Sequence, residues 1–252
     1  MVRRTLQDDI LDVIGQQIVS GVLHPGQVLR TEDFEIEHDV SRTVLRETLK
    51  VLESMRLIGL RRRIGVTVLD RSEWRVFDPR VIRWRLAGAD RDAQLRSLTD
   101  LRIAVEPVAA RNAALFATPE QREELLSLAA LLEESGKPRD ADAYLQHDIA
   151  FHSALLRASG NEMFAALSST IAAVLTGRTV HHLTPEDPTP ESLRLHLLVA
   201  RSIAGENAAE AEAAMREILS EVSRQMLPHS CSHPSSAPAT SPGKTAGKTV
   251  GP

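Results

Sequence analysis

Residues 39–69 read DVSRTVLRETLKVLESMRLIGLRRRIGVTVL, and the placing of their arginines decides which fold carries them. From Ser41 onward, Val44, Leu45, Leu49 and Leu52 recur at helical spacing and form one face turned to a core. Arg42, Thr43, Arg46 and Lys50 fall on the other side. Ser41 is a good N-cap, because its hydroxyl can accept a hydrogen bond from a first-turn amide that has no partner within the helix. The apolar face accounts for folding. The basic face requires a partner.

Charge is spread unevenly along the chain. The whole sequence carries a formal net charge of −4, which by itself argues weakly against nucleic acid. Between Val40 and Val66, however, seven basic residues stand against two acidic ones, a local net of +5. Just upstream, Glu32, Asp33, Glu35, Glu37 and Asp39 carry the opposite sign. Positive charge confined to one surface is the pattern of a small DNA footprint. The competing reading is a solvated helix face, which accounts for most charge runs. The conjunction of an S-R-x-x-x-R helix with a second basic run, Arg61, Arg62 and Arg63, favours DNA.

Working outward, a first helix is predicted over 5–20, with Ile10, Val13, Ile14, Gln17 and Ile18 as its stripe. Gly21, Pro25 and Gly26 break it, and a short helix over 31–38 carries Phe34. After Gly59 the pattern changes to LRRRIGVTVL, where β-branched residues around a Gly predict a small hairpin. Helix, helix, basic helix, hairpin is the order of a winged helix-turn-helix, in which the second helix of the pair lies in the major groove. Residues 72–88, SEWRVFDPRVIRWRLAG, hold both tryptophans and read as an ordered linker.

Helical patterns then cover 91–117, 119–134, 140–158, 161–180, 189–204 and 208–226, with cap or turn residues at each break. The expected fold is mostly α. A winged helix-turn-helix over 1–71 and a linker over 72–88 precede an all-α antiparallel bundle of six to seven helices over 89–226. Residues 227–252 are rich in Pro, Ser, Gly and Thr and are expected to be disordered.

A length of 252 residues, 42% hydrophobic and 25% charged, is ample for such a core. No apolar run approaches the roughly 20 residues needed to cross a bilayer, and MVRRTLQDDI lacks the apolar centre of a signal peptide. The single cysteine, Cys231, cannot form an internal disulfide. A cytoplasmic location without a membrane partner is the expectation.

VSRTVLRETLKVLESMRLI followed by RRRIGVTV at the front resembles the GntR family of transcription regulators, FadR subfamily. So do LRIAVEPVAARNAA, DIAFHSALLRASGN and LRLHLLVARSIAGENAAEAEAAM behind it, in the manner of that subfamily's helical FCD effector domain. The resemblance covers roughly residues 5–226. WRVFDPRVIRWRL before LTDLRIAVEPVAAR is similar to the family's sugar-acid regulators, of the galactonate repressor type. One departure is the entry to the second helix, where VLRTEDF is one residue shorter than the family's usual Leu-Pro-Ser-Glu pattern.

The resemblance implies a homodimeric, ligand-responsive regulator of operator DNA, a repressor released by a small carboxylate effector of the sugar-acid class. Arg42, Thr43 and Arg46 would meet base edges, and Ser41 and Lys50 phosphates. Arg61, Arg62 and Arg63, with Gly65, would form the wing. In the family's metal-binding members an Asp, a His four residues on and two later His ligate a divalent ion. Here Asp148, His152 and His196 match, and the last position falls at or near Ile218, which cannot coordinate. Three ligands of mixed O and N type can still hold a zinc-like ion if water or effector oxygens complete the shell.

Asp148 and His152 stand four apart and so share a helix face; the bland alternative is an intrahelical pair with His196 as a core residue. Arg102 lies on a face otherwise apolar through Leu98, Leu101 and Val105, and suits either an effector carboxylate or a salt bridge to Glu106. Ser192, with Asp148, His152 and His196, would meet effector hydroxyls. Asn161, after Gly160, reads as a structural cap. The rival class is a metal-dependent phosphohydrolase, suggested by the dipeptide His147-Asp148. That chemistry needs a further upstream His, and none occurs between His38 and His147.

Overall fold

Thr5 opens the first helix, α1 (Leu6–Val19), through a capping box in which its hydroxyl accepts from the Asp8 amide and the Asp8 carboxylate accepts from the Thr5 amide. The computed structural model describes residues 5–61, 65–136, 141–181 and 188–226. After α1 come β1 (Val28–Leu29), α2 (Thr31–His38), α3 (Arg42–Ser54), β2 (Ile58–Arg61) and β3 (Gly65–Val68). β3 is the central strand, antiparallel to β1 on one side and β2 on the other. The expected hairpin is present; β1 is not foreseen, because two residues are too short for an alternating pattern.

In α3, Leu45, Thr48, Leu49 and Leu52 are buried against α1 and the sheet, and Val44 packs at the edge of this core. In α1 the buried stripe is Ile10, Leu11, Ile14 and Ile18. Val13 is 39% exposed, against expectation, since it sits one residue from Ile14 and is turned about 100° from it. α2 begins at Arg30 with no side-chain cap, which agrees with its unusual entry sequence.

The stretch read as a linker is a 3₁₀ turn (Arg71–Glu73) and a further helix, α4 (Pro79–Leu86). Asp78 caps α4 by accepting from the Arg80 amide, and Pro79 occupies its first position, where a missing N–H costs nothing. Both of its faces are buried. Val81 and Trp84 enter the core of α1–α3, whereas Ile82 and Leu86 pack with Leu95, Leu98 and Val174 of the following helices. The Trp84 indole N–H donates to Asp12 Oδ1 at 2.8 Å, and Arg83 pairs with the same carboxylate. Gly15 lets the indole lie against α1, for a Cβ there would fall 2.5 Å from the ring. Gly15→Ala is therefore expected to cost about 1–3 kcal/mol through forced overpacking, read as a lowered thermal midpoint.

The second layer contains α5 (Arg91–Phe116), α6 (Pro119–Ser135), α7 (Ala141–Ala158), α8 (Glu162–Ala165), α9 (Ser168–Val180), α10 (Pro190–Ala204) and α11 (Ala208–Met226). α5 packs between α11 and α7, α6 between α7 and α10, and α9 bridges α7 to α4. Leu125, Phe151, Leu155, Leu195, Val199 and Met215 centre its largest apolar cluster. The expected helix over 161–180 is split. Asn161 caps α8 as foreseen, but the Ser168 hydroxyl takes up the Ala165 carbonyl at 2.7 Å and α9 restarts there. Residues Glu162–Val180 do reach the length and mean hydropathy, 1.3, of a membrane crossing, contrary to the sequence reading. Thr170, Ile171, Val174, Leu175 and Arg178 are nevertheless buried within the bundle. The expected disorder of 227–252 concerns residues outside those described.

Candidate functional site: a basic helix face and a buried polar cluster

Ser41 Oγ accepts from the Val44 amide at 3.4 Å, fixing the start of α3. From that start Arg42, Thr43, Arg46 and Lys50 all point to solvent. The Arg42 and Arg46 side chains are 86% and 70% exposed. Arg42 Nε lies 3.3 Å from Glu35 of α2, and Lys50 Nζ lies 2.9 Å from Glu47. Exposed pairs of this kind hold about 0–1 kcal/mol each, so both cations remain available to an incoming polyanion. A groove of 420 Å³ runs between α2, α3 and the hairpin, with Thr31, Arg42, Arg46 and Gly65 along it. Arg56, which contributes to the local charge, is instead tied to Glu73.

At the hairpin, Arg61 closes β2 opposite Gly65. Gly65 has φ +99°, a conformation that side chains rarely adopt, and lies close to β1, where a Cβ on it would be 3.6 Å from the Leu29 carbonyl oxygen. Arg62 and Arg63 lie outside the described residues.

The second constellation sits inside the bundle. α7 brings Asp148 and His152 to one face, and α10 brings His196 against them. One ligand atom from each lies within 4.8 Å of the others. Asp148 Oδ1 is 3.3 Å from His152 Nε2 and 3.4 Å from His196 Nε2. Each ring is held from behind. His152 Nδ1 stands 2.8 Å from Glu106 Oε2, and His196 Nδ1 stands 2.7 Å from the Ser192 carbonyl. In the neutral rings that ligation requires, those acceptors would accept from Nδ1–H and leave Nε2 facing Asp148, the arrangement by which second-shell groups orient metal-binding imidazoles. His196 Nε2 is buried with no hydrogen-bond partner. The donors present thus fit a divalent ion. Ile218, at the remaining position, is buried in the apolar cluster.

Beside them Arg102 and Glu106 form a fully buried pair on α5, with Nε–Oε1 at 2.6 Å and Nη2–Oε2 at 3.2 Å. The salt bridge weighed from sequence is therefore made, and Arg102 Nη1 alone is left buried without a partner. Arg102 Nη2 also lies 3.3 Å from His152 Nε2. Burial would raise the Glu106 pKa, but the charges of Arg102 and His152 outweigh it and bring it down to about 2. For Asp148, burial is likewise outweighed by the hydrogen bond and charge of His152, with His196 close by, which hold it well below the usual carboxylate range. Burial pushes the Tyr144 phenol up, helped by the nearby Asp148 charge, while Ser192 hydrogen-bonds to it.

Comparison with known proteins agrees with both halves. Residues 6–68 match the model of bacterial regulatory proteins of the gntR family, and residues 97–221 match that of the FCD domain. The galactonate operon transcriptional repressor of Escherichia coli K12 is 31% identical over 223 residues, covering 86% of this chain and 95% of that protein. The chain belongs to the GntR family. This GntR-family chain is also similar to the gluconate operon transcriptional repressor of Bacillus subtilis, 23% identical over 63% of this chain and 57% of that protein. Among solved structures, a GntR protein of Streptococcus agalactiae aligns with TM-score 0.50 at 23% identity over 86% of this chain and 99% of its own. The Listeria monocytogenes regulator Lar aligns with TM-score 0.57 at 16% identity over 90% and 98%. These likenesses support the fold.

As a GntR-family regulator the protein is a DNA-binding transcription factor and not an enzyme. The His147-Asp148 dipeptide agrees, since His147 faces away from Asp148 and its Nδ1 meets Ser135 Oγ of α6 at 3.1 Å. Three residues of the GntR-chain cavity escape the sequence reading as site residues: Glu106, Tyr144 and Arg178. Glu106 carried a signal, four residues from Arg102. Arg178 carried none, because the end of α9 gives no apolar periodicity against which a cation stands out.

Proposed function

We propose that this regulator represses a sugar-acid catabolic operon and leaves its operator when a galactonate- or gluconate-like acid enters the bundle cavity. The observation that carries the reading is the presence in one chain of an exposed basic helix face and a buried polar cluster, with α4 packed by one face into the apolar core of the first half and by the other against the helices of the second. The names of the E. coli and B. subtilis relatives support the ligand class.

On this reading Arg42, Thr43 and Arg46 read base edges in the major groove, while Ser41 and Lys50 lie against phosphates. Arg61, Arg62 and Arg63, with Gly65, bring the wing to the sugar-phosphate backbone. Two copies, each supplying one α3, read two half-sites, so the working unit is a homodimer acting on DNA in the cytoplasm. Asp148, His152 and His196 would hold a divalent ion of the zinc type, with Ile218 leaving one position to effector or water. Bound there, the ion would act as a Lewis acid toward effector oxygens. Ser192 orients His196 through its carbonyl and, with Arg102, lines the cavity. Effector binding shifts DNA affinity to the extent that it favours one arrangement of α4 over another.

Two measurements test this. Protein purified without chelator is expected to carry a divalent ion, seen by elemental analysis, and His196→Ala to lose it while keeping its helical circular dichroism. Fluorescence anisotropy with operator DNA is expected to show release by galactonate or gluconate at millimolar concentration. Operator binding indifferent to both acids would remove the sugar-acid assignment.

A further inference from the structure

Arg178 is the charged residue of the buried cluster that the reading above leaves without a task. It lies near the end of α9, 6% exposed, and its Nε is buried with no hydrogen-bond partner. Among the described residues no carboxylate forms an ion pair with it. Burial, and the repulsion of Arg102 close by, bring its pKa down to about 10, so it stays charged at neutral pH. A buried guanidinium N–H without an acceptor is costly, and proteins do not ordinarily leave one so. Arg102 differs, since its fork is filled by Glu106 and only Nη1 remains free.

The charges around it point the same way. Arg102 and Arg178 balance Glu106 and Asp148 in the same cavity. Any divalent ion added to Asp148, His152 and His196 leaves an excess of positive charge. An acid entering the cavity supplies the missing charge and the missing acceptor together.

We propose that Arg178 is the anchor for the effector's carboxylate, which lies between its guanidinium and the spare Nη1 of Arg102. This deepens the ligand reading given above and rests on it for the identity of the acid, though not for the presence of one. The carboxylate shields the two guanidinium groups from each other and fills both orphaned donors. Arg178 also directly follows Gly177, where a Cβ would fall 2.4 Å from Leu86 Cδ1 of α4. A carboxylate that draws on Arg178 therefore draws on the point where α9 touches the helix shared with the DNA-binding half.

The test compares the wild-type chain with Arg178→Met and Arg178→Lys. Thermal melting and calorimetric titration are run with four probes: sodium acetate, glycolate, D-gluconate and D-galactonate. Galactitol, which has no carboxylate, is the control. Arg178→Met is expected to melt no lower than wild type without acid and to bind the acids about 100-fold more weakly, as when one partner of a buried charged pair is truncated. Arg178→Lys is expected to fall between the two, and it carries the test should the methionine variant fail to fold. Equal binding of the sugar acids by wild type and variants overturns the anchor and leaves the sugar-acid reading standing. Arg178-dependent binding of acetate or glycolate without binding of either sugar acid supports the anchor and overturns the sugar-acid reading. A wild-type chain stabilised by none of the four acids overturns the anchor as well.

Discussion

Replacing both Arg42 and Arg46 with alanine removes specific operator binding while the protein stays folded. Each arginine is more than two-thirds exposed and tied only to a surface carboxylate, so truncation takes nothing from the core. Surface changes of this kind fall within about 0.5 kcal/mol of stability. A bidentate arginine–guanine contact carries about 1–3 kcal/mol of discrimination. Loss of two such contacts is therefore about 30-fold at the least and about 20,000-fold at the most. The measurement is anisotropy with a DNA fragment selected from random sequence by the wild-type chain, beside an unrelated fragment of equal length. Lys50→Ala should weaken both fragments alike and flatten the salt dependence, as a phosphate contact does. Unchanged discrimination by the double alanine variant would remove α3 from the recognition surface.

The largest stability effect is expected at Glu106. Its carboxylate holds Arg102 in a bidentate pair and accepts from His152, with all three side chains at most 2% exposed. Glu106→Leu leaves the Arg102 guanidinium buried with nothing to neutralise it, a loss of about 3–5 kcal/mol. In a chain of this size that lowers the thermal midpoint by about 10 °C. The double variant Arg102→Met, Glu106→Leu should regain most of the loss, because no uncompensated charge then remains. A single variant as stable as wild type would mean that water reaches this part of the bundle. The pH dependence has a definite sign. The folded-state pKa of Glu106, about 2, lies below its ordinary 4.5. The stabilisation is thus complete above pH 4.5 and is lost as pH falls from there toward 2. Chelator-treated protein melted across that range should show it.

Much of this was legible along the chain because the signals are local. Ser41, Arg42, Arg46 and Leu49 declare a capped helix with two faces through spacing alone, and burial follows that spacing. The bounds of α2 and α11 agree with expectation for the same reason. α4 escaped notice because both its faces are buried: a helix apolar on two sides, with arginines between, has no single stripe to find. The split at Ser168 turned on one hydroxyl choosing a backbone carbonyl, a contest that composition does not resolve.

Periodicity and local charge were sufficient to place a capped helix with an exposed basic face, a wing hairpin and a helical bundle, since each depends on residues within a few turns of one another. They also placed Asp148 and His152 on one face. Folding alone could bring His196 within reach of that pair, fill the Arg102 fork with Glu106 and, among the described residues, leave Arg178 Nε without a hydrogen-bond partner. Those outcomes depend on how α5, α7, α9 and α10 pack: Glu106 meets His152 and Asp148 meets His196, each across more than 40 positions of chain, through contacts whose geometry no local pattern encodes.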